Sequence, residues 1–197
     1  FEVEDFFKSD LSGIYTDNDY ISLYLKAFGT TEITLQRTEF ALAQFFRALT
    51  SGNSKFDKFL KYEINLTSEE YKGFVIFNSE KGDCFHCHTI PLLSDNQFHN
   101  IGLDSVFTPE NLGRYNYTQK PNDIGKFKTP SLRNIELTAP YMHDGRFATL
   151  EEVMDHYNSN VKHSETLDPI MTKPSKEFGL LLSQQEKNDL IAFLLTF

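Results

Sequence analysis

The sequence predicts an all-α fold, and three observations carry that reading. Three capping boxes punctuate the chain, Thr67-Ser68-Glu69-Glu70, Thr149-Leu150-Glu151-Glu152 and Ser183-Gln184-Gln185-Glu186, each able to satisfy two orphan backbone donors where a helix starts. After the second and third boxes, apolar residues recur at i, i+3, i+4 and i+7, the period of a helix with one buried face. No segment shows the apolar/polar alternation of a half-buried strand.

The elements follow in order. The first third reads as helix: within Thr38–Leu49, Leu42, Phe45, Phe46 and Leu49 form one apolar face, and Gly52 follows as a stop signal. The connector Asn53–Asn65 is the expected domain boundary, separating residues 1–66 from 67–197. A second helix opens at Thr67 and carries Phe74 and Phe77 towards Cys84-Phe85-His86-Cys87-His88. Between His88 and Thr149 lie about sixty residues rich in Pro, Gly, Asn and Asp with little period, and a span that long is usually functional or disordered. Its aromatics, Phe98, Phe107, Tyr115, Tyr117, Phe127, Tyr141 and Phe147, argue for an ordered wrapping loop. A third helix runs from Thr149 to about Asn158. A terminal one follows Ser183, with Leu190, Phe193, Leu194 and Phe197 on its packed face.

The pentapeptide at Cys84 has the spacing that attaches a c-type haem. Two thiols one turn apart can add to the two vinyl groups of one porphyrin, and His88 is then aimed at the iron. Two other chemistries compete for these residues. Zinc needs four N or S ligands, so Cys84, Cys87 and His88 would have to recruit a residue such as His99. A redox dithiol needs a βαβ context, for which there is no strand pattern. The expected class is thus a cytochrome c-type haem domain with long haem-wrapping loops, carrying one haem c.

Bulk properties narrow the partners. With 19 basic and 28 acidic residues the formal charge is −9, which argues against nucleic acid and suits solubility or an encounter with a cationic protein. No apolar run approaches the roughly 18 residues of a membrane span. Phe1 reads as the start of a processed or trimmed product. Asn65-Leu66-Thr67 and Asn116-Tyr117-Thr118 match the glycosylation pattern by chance. Covalent haem is attached outside the cytoplasm in bacteria, which places the chain in the periplasm.

A second iron ligand is sought on the third helix. Leu150, Val153, Met154 and Tyr157 share its inward face, whereas His156 lies with Glu152 on the flank expected to meet solvent. Met154 is a soft ligand that raises the potential, and Tyr157 as phenolate is a hard one that lowers it; spacing favours core packing for Met154 and leaves Tyr157 even between the two roles.

Several segments in order resemble the C-terminal part of the bacterial diheme cytochrome c peroxidase family, including its methylamine-utilisation branch. They are Ala41-Leu42-Ala43-Gln44-Phe45-Phe46-Arg47-Ala48-Leu49, the haem pentapeptide, Phe98-His99-Asn100-Ile101-Gly102, Phe127-Lys128-Thr129-Pro130-Ser131-Leu132-Arg133-Asn134 and Leu137-Thr138-Ala139-Pro140-Tyr141-Met142-His143-Asp144-Gly145-Arg146. The resemblance covers nearly all 197 residues. It implies that Cys84, Cys87 and His88 hold the electron-transfer haem, with Tyr157 as distal ligand and Met154 or Met171 as reserves. It places Asn100 and Arg133 near the porphyrin; Arg133 then pairs with a propionate, or else braces a loop. It gives Thr138 and Pro140 a role in calcium binding through carbonyl oxygens, and His143 a role in proton relay or a buried hydrogen bond.

The family's earlier haem motif is absent before Lys81, and the chain has no Trp. Residues 1–66 are therefore expected to be remnant helices of a truncated N-terminal peroxidatic domain. The activity implied is a peroxidase-type oxidoreductase, reducing hydrogen peroxide with electrons passed through the haem on His88. The implied partners are a small donor protein such as a cytochrome c or cupredoxin, with a homodimer as an option and a second haem in the full-length protein. The rival readings are a monohaem electron carrier without catalysis and an apo-fold whose haem was never attached.

Overall fold

The computed structural model describes residues 12–174 and 179–197, so the Phe1 terminus lies outside the described residues. The chain divides into two compact units between Ser51 and Gly52.

The first unit is helical. Helices α1 (Ser12–Thr16), α2 (Asn18–Phe28) and α3 (Leu35–Ala48) follow one another. The Asp17 carboxylate accepts from Asp19 N at the start of α2, and Gly29 at φ 71° closes it, a left-handed cap that glycine adopts without strain. The third helix begins earlier than the apolar pattern suggested, because Thr34 caps it by accepting from Arg37 N at 3.3 Å. Its expected apolar face is not buried: Phe45, Phe46 and Leu49 are 58%, 59% and 63% exposed.

The second unit opens at Gly52, upstream of the boundary expected after residue 66. Helix α4 (Lys55–Leu60) belongs to its core. Phe56 is buried and its N–H donates to Thr196 O at 2.9 Å. Helices α5 (Ser68–Phe77), α7 (Leu150–Ser159) and α8 (Gln184–Leu194) each start at the capping box read from sequence, with both reciprocal hydrogen bonds formed. The fully buried Phe193 ring meets Phe56, Phe74, Phe77 and Phe197 at centroid distances of 5.2, 5.5, 5.3 and 4.9 Å, all near edge-on. Such pairs contribute about 0.5–1.5 kcal/mol each beyond their area. Gly73 lets α5 and α8 approach: a Cβ there would stand 2.0 Å from Asp189 O.

Between His88 and Thr149 the chain is loop, as its composition implied, but it is stitched by a short antiparallel ribbon. Strand β1 (Phe98–His99) pairs with β2 (Phe127–Lys128), and α6 (Tyr115–Thr118) is a single turn between them. Two-residue strands are too short to show alternation, which is why no strand was expected. Among the described residues no helix is long and apolar enough to cross a membrane.

Candidate functional site

The site grows out of the end of α5. After Phe77 the chain turns through Asp83, held at φ 60°, into a single 3-10 turn, Cys84–His86. The His88 N–H donates to Cys84 O at 2.9 Å, so Cys84 and His88 sit one turn apart. The next loop then folds back: Asp95 N donates to Cys87 O at 2.7 Å, and Leu93 O lies 2.9 Å from His88 Nδ1. A carbonyl can only accept, so Nδ1 carries the proton and Nε2 the lone pair. This is the tautomer a metal-ligating histidine needs, fixed by its outer partner.

Cys84, Cys87 and His88 line one cavity of about 600 Å³, within the roughly 300–1,000 Å³ usual for cofactors. Its apolar wall includes Phe77, Leu132, Leu190 and Leu194, and the 99–143 loop supplies much of the remainder. Burial pushes the Cys87 thiol up to about 11, with Asp95, Asp168 and Asp83 adding to it, and burial lowers His88, favouring neutral imidazole. Neither cysteine is in a disulfide. Two thiols, a neutral imidazole and an apolar hollow fit a c-type haem.

Tyr157, Met154 and Met171 all line this cavity. Met154 is 6% exposed and belongs to the apolar core. Burial raises the Tyr157 pKa, and the nearby Cys84 and Cys87 raise it further, so its phenol stays neutral unless a cation offsets that cost. The flank beside it differs from expectation. His156 is buried at 3% exposure and its Nε2 donates to Ile101 O at 3.0 Å, because a loop distant in sequence covers the side that helical period assigned to solvent.

The other expected residues have distinct placements. Asn100 is buried on the cavity wall, but its amide is spent on protein: Nδ2 donates to Ser164 Oγ and Thr166 Oγ1, both at 3.0 Å, while Oδ1 accepts from Gly102 N at 2.9 Å. Gly102 at φ +73° admits the 161–174 strap: a Cβ there would stand 2.6 Å from Val161 Cγ1. Arg133 turns to Asp57, 2.9 Å to each carboxylate oxygen, and donates to Pro91 O at 2.8 Å, the loop brace weighed against a propionate contact. Thr138 and Pro140 line the cavity, with Thr138 Oγ1 donating to Ile135 O at 3.3 Å. His143 also lines it, stacked on Phe127 at 3.6 Å and 13°, with burial lowering its pKa. The adjoining Arg146 clamps this segment, reaching Asp104 at 2.8 Å and Asp144 at 2.6 Å.

His99, in the sequence a possible fourth zinc ligand and part of a family-like segment with no role of its own, has a more definite setting in the structure. Its Nδ1 lies 2.6 Å from Asp168 Oδ2 and its Nε2 lies 2.8 Å from Asp95 Oδ2. Burial opposes its charge, but the two carboxylates outweigh it and raise its pKa. The ligand atoms of Cys87, Asp95 and His99 all lie within 4.8 Å of one another, so the set around His99 differs from the Cys84, Cys87, His88 and His99 group considered from sequence. Asp168 lies 69 positions from His99, and no local pattern connects them.

Comparison with known proteins adds the lineage. A family model described as di-haem cytochrome c peroxidase matches residues 6–65. The methylamine utilization protein MauG of Methylophilus methylotrophus is 38% identical over 181 residues, covering 89% of this chain and 50% of its own length. The cytochrome-c peroxidase IdrP1 of Pseudomonas sp. (strain SCT) is 33% identical, covering 89% of this chain and 53% of its own. The crystal structure of a MauG-like protein associated with microbial copper homeostasis superposes with a TM-score of 0.84 at 34% identity, covering 94% of this chain and 60% of that one. The chain spans about half the length of the curated relatives it matches.

Proposed function

The chain belongs to the di-haem cytochrome c peroxidase family, and from that premise we propose that it is the electron-storing C-terminal part of a peroxidase-type oxidoreductase, with one haem on Cys84, Cys87 and His88. When bound, the haem supplies a one-electron store that can be filled by a donor and emptied towards a peroxide-reducing centre.

The residues of this chain prepare for that group. Cys84 and Cys87 offer thiols to the cavity, and burial raises the Cys87 thiol, keeping it protonated until it is alkylated. His88 presents Nε2, its ring oriented by Leu93 O. Tyr157 is the proposed distal ligand, favoured by its place in the cavity and on the inward face of α7; Met171, also on the wall, and Met154, committed to the core, stand behind it. His143 holds or moves a proton at its imidazole, and the carbonyls of Thr138 and Pro140 offer hard oxygens to calcium. Hydrogen peroxide is reduced in the whole protein with electrons from a small cytochrome c or cupredoxin, in the periplasm where c-type haem is attached.

The observation that carries this reading is the hydrogen bond between His88 Nδ1 and Leu93 O at the wall of the cavity that Cys84 and Cys87 share. A pyridine haemochrome assay with intact mass tests it: one covalently bound haem per chain is expected, and matured protein that is colourless and binds zinc at these thiols overturns it. The single Cys-x-x-Cys-His motif in 197 residues favours a second reading, an electron carrier with no catalysis. Peroxide turnover by the whole protein decides between them.

A further inference from the structure

We propose that His99, clasped as an imidazolium between Asp95 and Asp168, is a positioning residue of the haem cavity whose positive charge helps set the reduction potential of the iron on His88. The inference rests on the haem reading above.

The geometry requires the charge. A neutral imidazole has one donor and one acceptor nitrogen, and an acceptor cannot face a carboxylate at hydrogen-bond distance. Both nitrogens of His99 face one, at 2.6 and 2.8 Å, so both donate. The clasp is sheltered: the His99, Asp95 and Asp168 side chains are 19%, 17% and 19% exposed, and a charge in such a setting acts further than one in water. Lys128, the lysine among the described residues lining the cavity, is exposed and bonded to Asn96 Oδ1 at 2.7 Å.

The clasp also joins two parts of the cavity wall. Asp95 belongs to the loop whose N–H groups return to the haem motif, donating to Cys87 O. Asp168 caps the 3-10 turn Pro169–Thr172 by accepting from Ile170 N at 3.0 Å, and that turn places Ile170 and Met171 on the wall. Asp168 N donates in turn to Asn100 O. His99 thus carries a fixed charge at the junction of the haem loop and the 161–174 strap, with Cys87 Sγ within 4.8 Å of its ring nitrogen.

The sign of the effect is testable. Oxidised iron bears one more positive charge than reduced iron, so removing a nearby cation favours the oxidised state and removing an anion favours the reduced state. Spectroelectrochemical midpoint potentials are to be measured for haem-loaded wild type, His99→Gln, Asp168→Asn and Asp95→Asn at about pH 6, where a paired histidine is protonated. His99→Gln is expected to shift the potential downward, and the two aspartate variants upward. A role confined to packing moves all of them the same way or not at all, and that result overturns the proposal. If His99→Gln loses haem, the aspartate variants still decide, because an unchanged or lower potential in both contradicts it. Wild type without haem refutes the underlying reading; wild type with haem and same-sign shifts refutes this inference alone.

Discussion

Arg133 sets both terminal nitrogens 2.9 Å from the two carboxylate oxygens of Asp57, and one of those nitrogens also reaches Pro91 O at 2.8 Å. One guanidinium therefore joins α4, the 129–133 segment and the loop that follows His88. Two residues beyond Pro91, Leu93 O orients the His88 imidazole. Ser131 Oγ holds the intervening Leu92 O at 2.7 Å, so the brace leads from the core to the histidine.

This pair predicts an acid-sensitive stability. Arg133 holds Asp57 at about 2, below its ordinary 3.8, against the cost of burial. A depressed carboxylate stabilises the fold above its unfolded pKa and loses that contribution as pH falls from about 4 towards 2. The shift corresponds to about 2 kcal/mol. Urea unfolding as a function of pH should show this loss in wild type and not in Asp57→Asn, which is expected to be less stable by about 2–3 kcal/mol at neutral pH because the partly buried Arg133 loses its anion.

Tyr157→Phe is expected to change the ferric absorption and electron paramagnetic resonance spectra and to raise the midpoint potential, since a phenolate stabilises ferric iron. Retention of the wild-type spectra would transfer the distal role to Met171, Met154 or water.

Gly73→Ala sets helix propensity against space. In an open helix the change gains about 1 kcal/mol. Here the new Cβ meets Asp189 O at 2.0 Å and Phe193 Cβ at 2.7 Å, and overpacking of this kind costs about 1–3 kcal/mol or more. Thermal denaturation should therefore show destabilisation.

In haem-free protein the Cys87 thiol, held near 11, should alkylate slowly. At pH 8 about one part in a thousand is thiolate, given tenfold per pH unit, and the thiolate is the reacting species. Peptide-resolved iodoacetamide labelling should show the Cys87 rate climbing steadily up to about pH 11. A plateau near the ordinary cysteine value of about 8.5 would contradict the burial of this thiol.

Much of this architecture is legible along the chain. The capping boxes at Thr67, Thr149 and Ser183 mark real helix starts because a cap is a contact among residues three apart. The pentapeptide is legible for the same reason, since two thiols and an imidazole within one turn need no partner from elsewhere. Helical period assigns Met154 and Tyr157 correctly to the inward face of α7, where they line the cavity, but misplaces His156. Helical period gives the direction of a side chain relative to its own axis and carries no information about the loop that arrives to cover it.

Local chemistry, in which each group finds its partner within a turn, was determined by the order of residues alone: helix starts, the thiol and imidazole spacing, and the family. Tertiary structure alone decided the long-range pairs, Arg133 with Asp57 across 76 positions, and His99 with Asp168 across 69. Those pairs form only when segments far apart in sequence pack together. A charged side chain's partner is then chosen by desolvation, because a buried ion must find its counter-ion wherever the fold brings one.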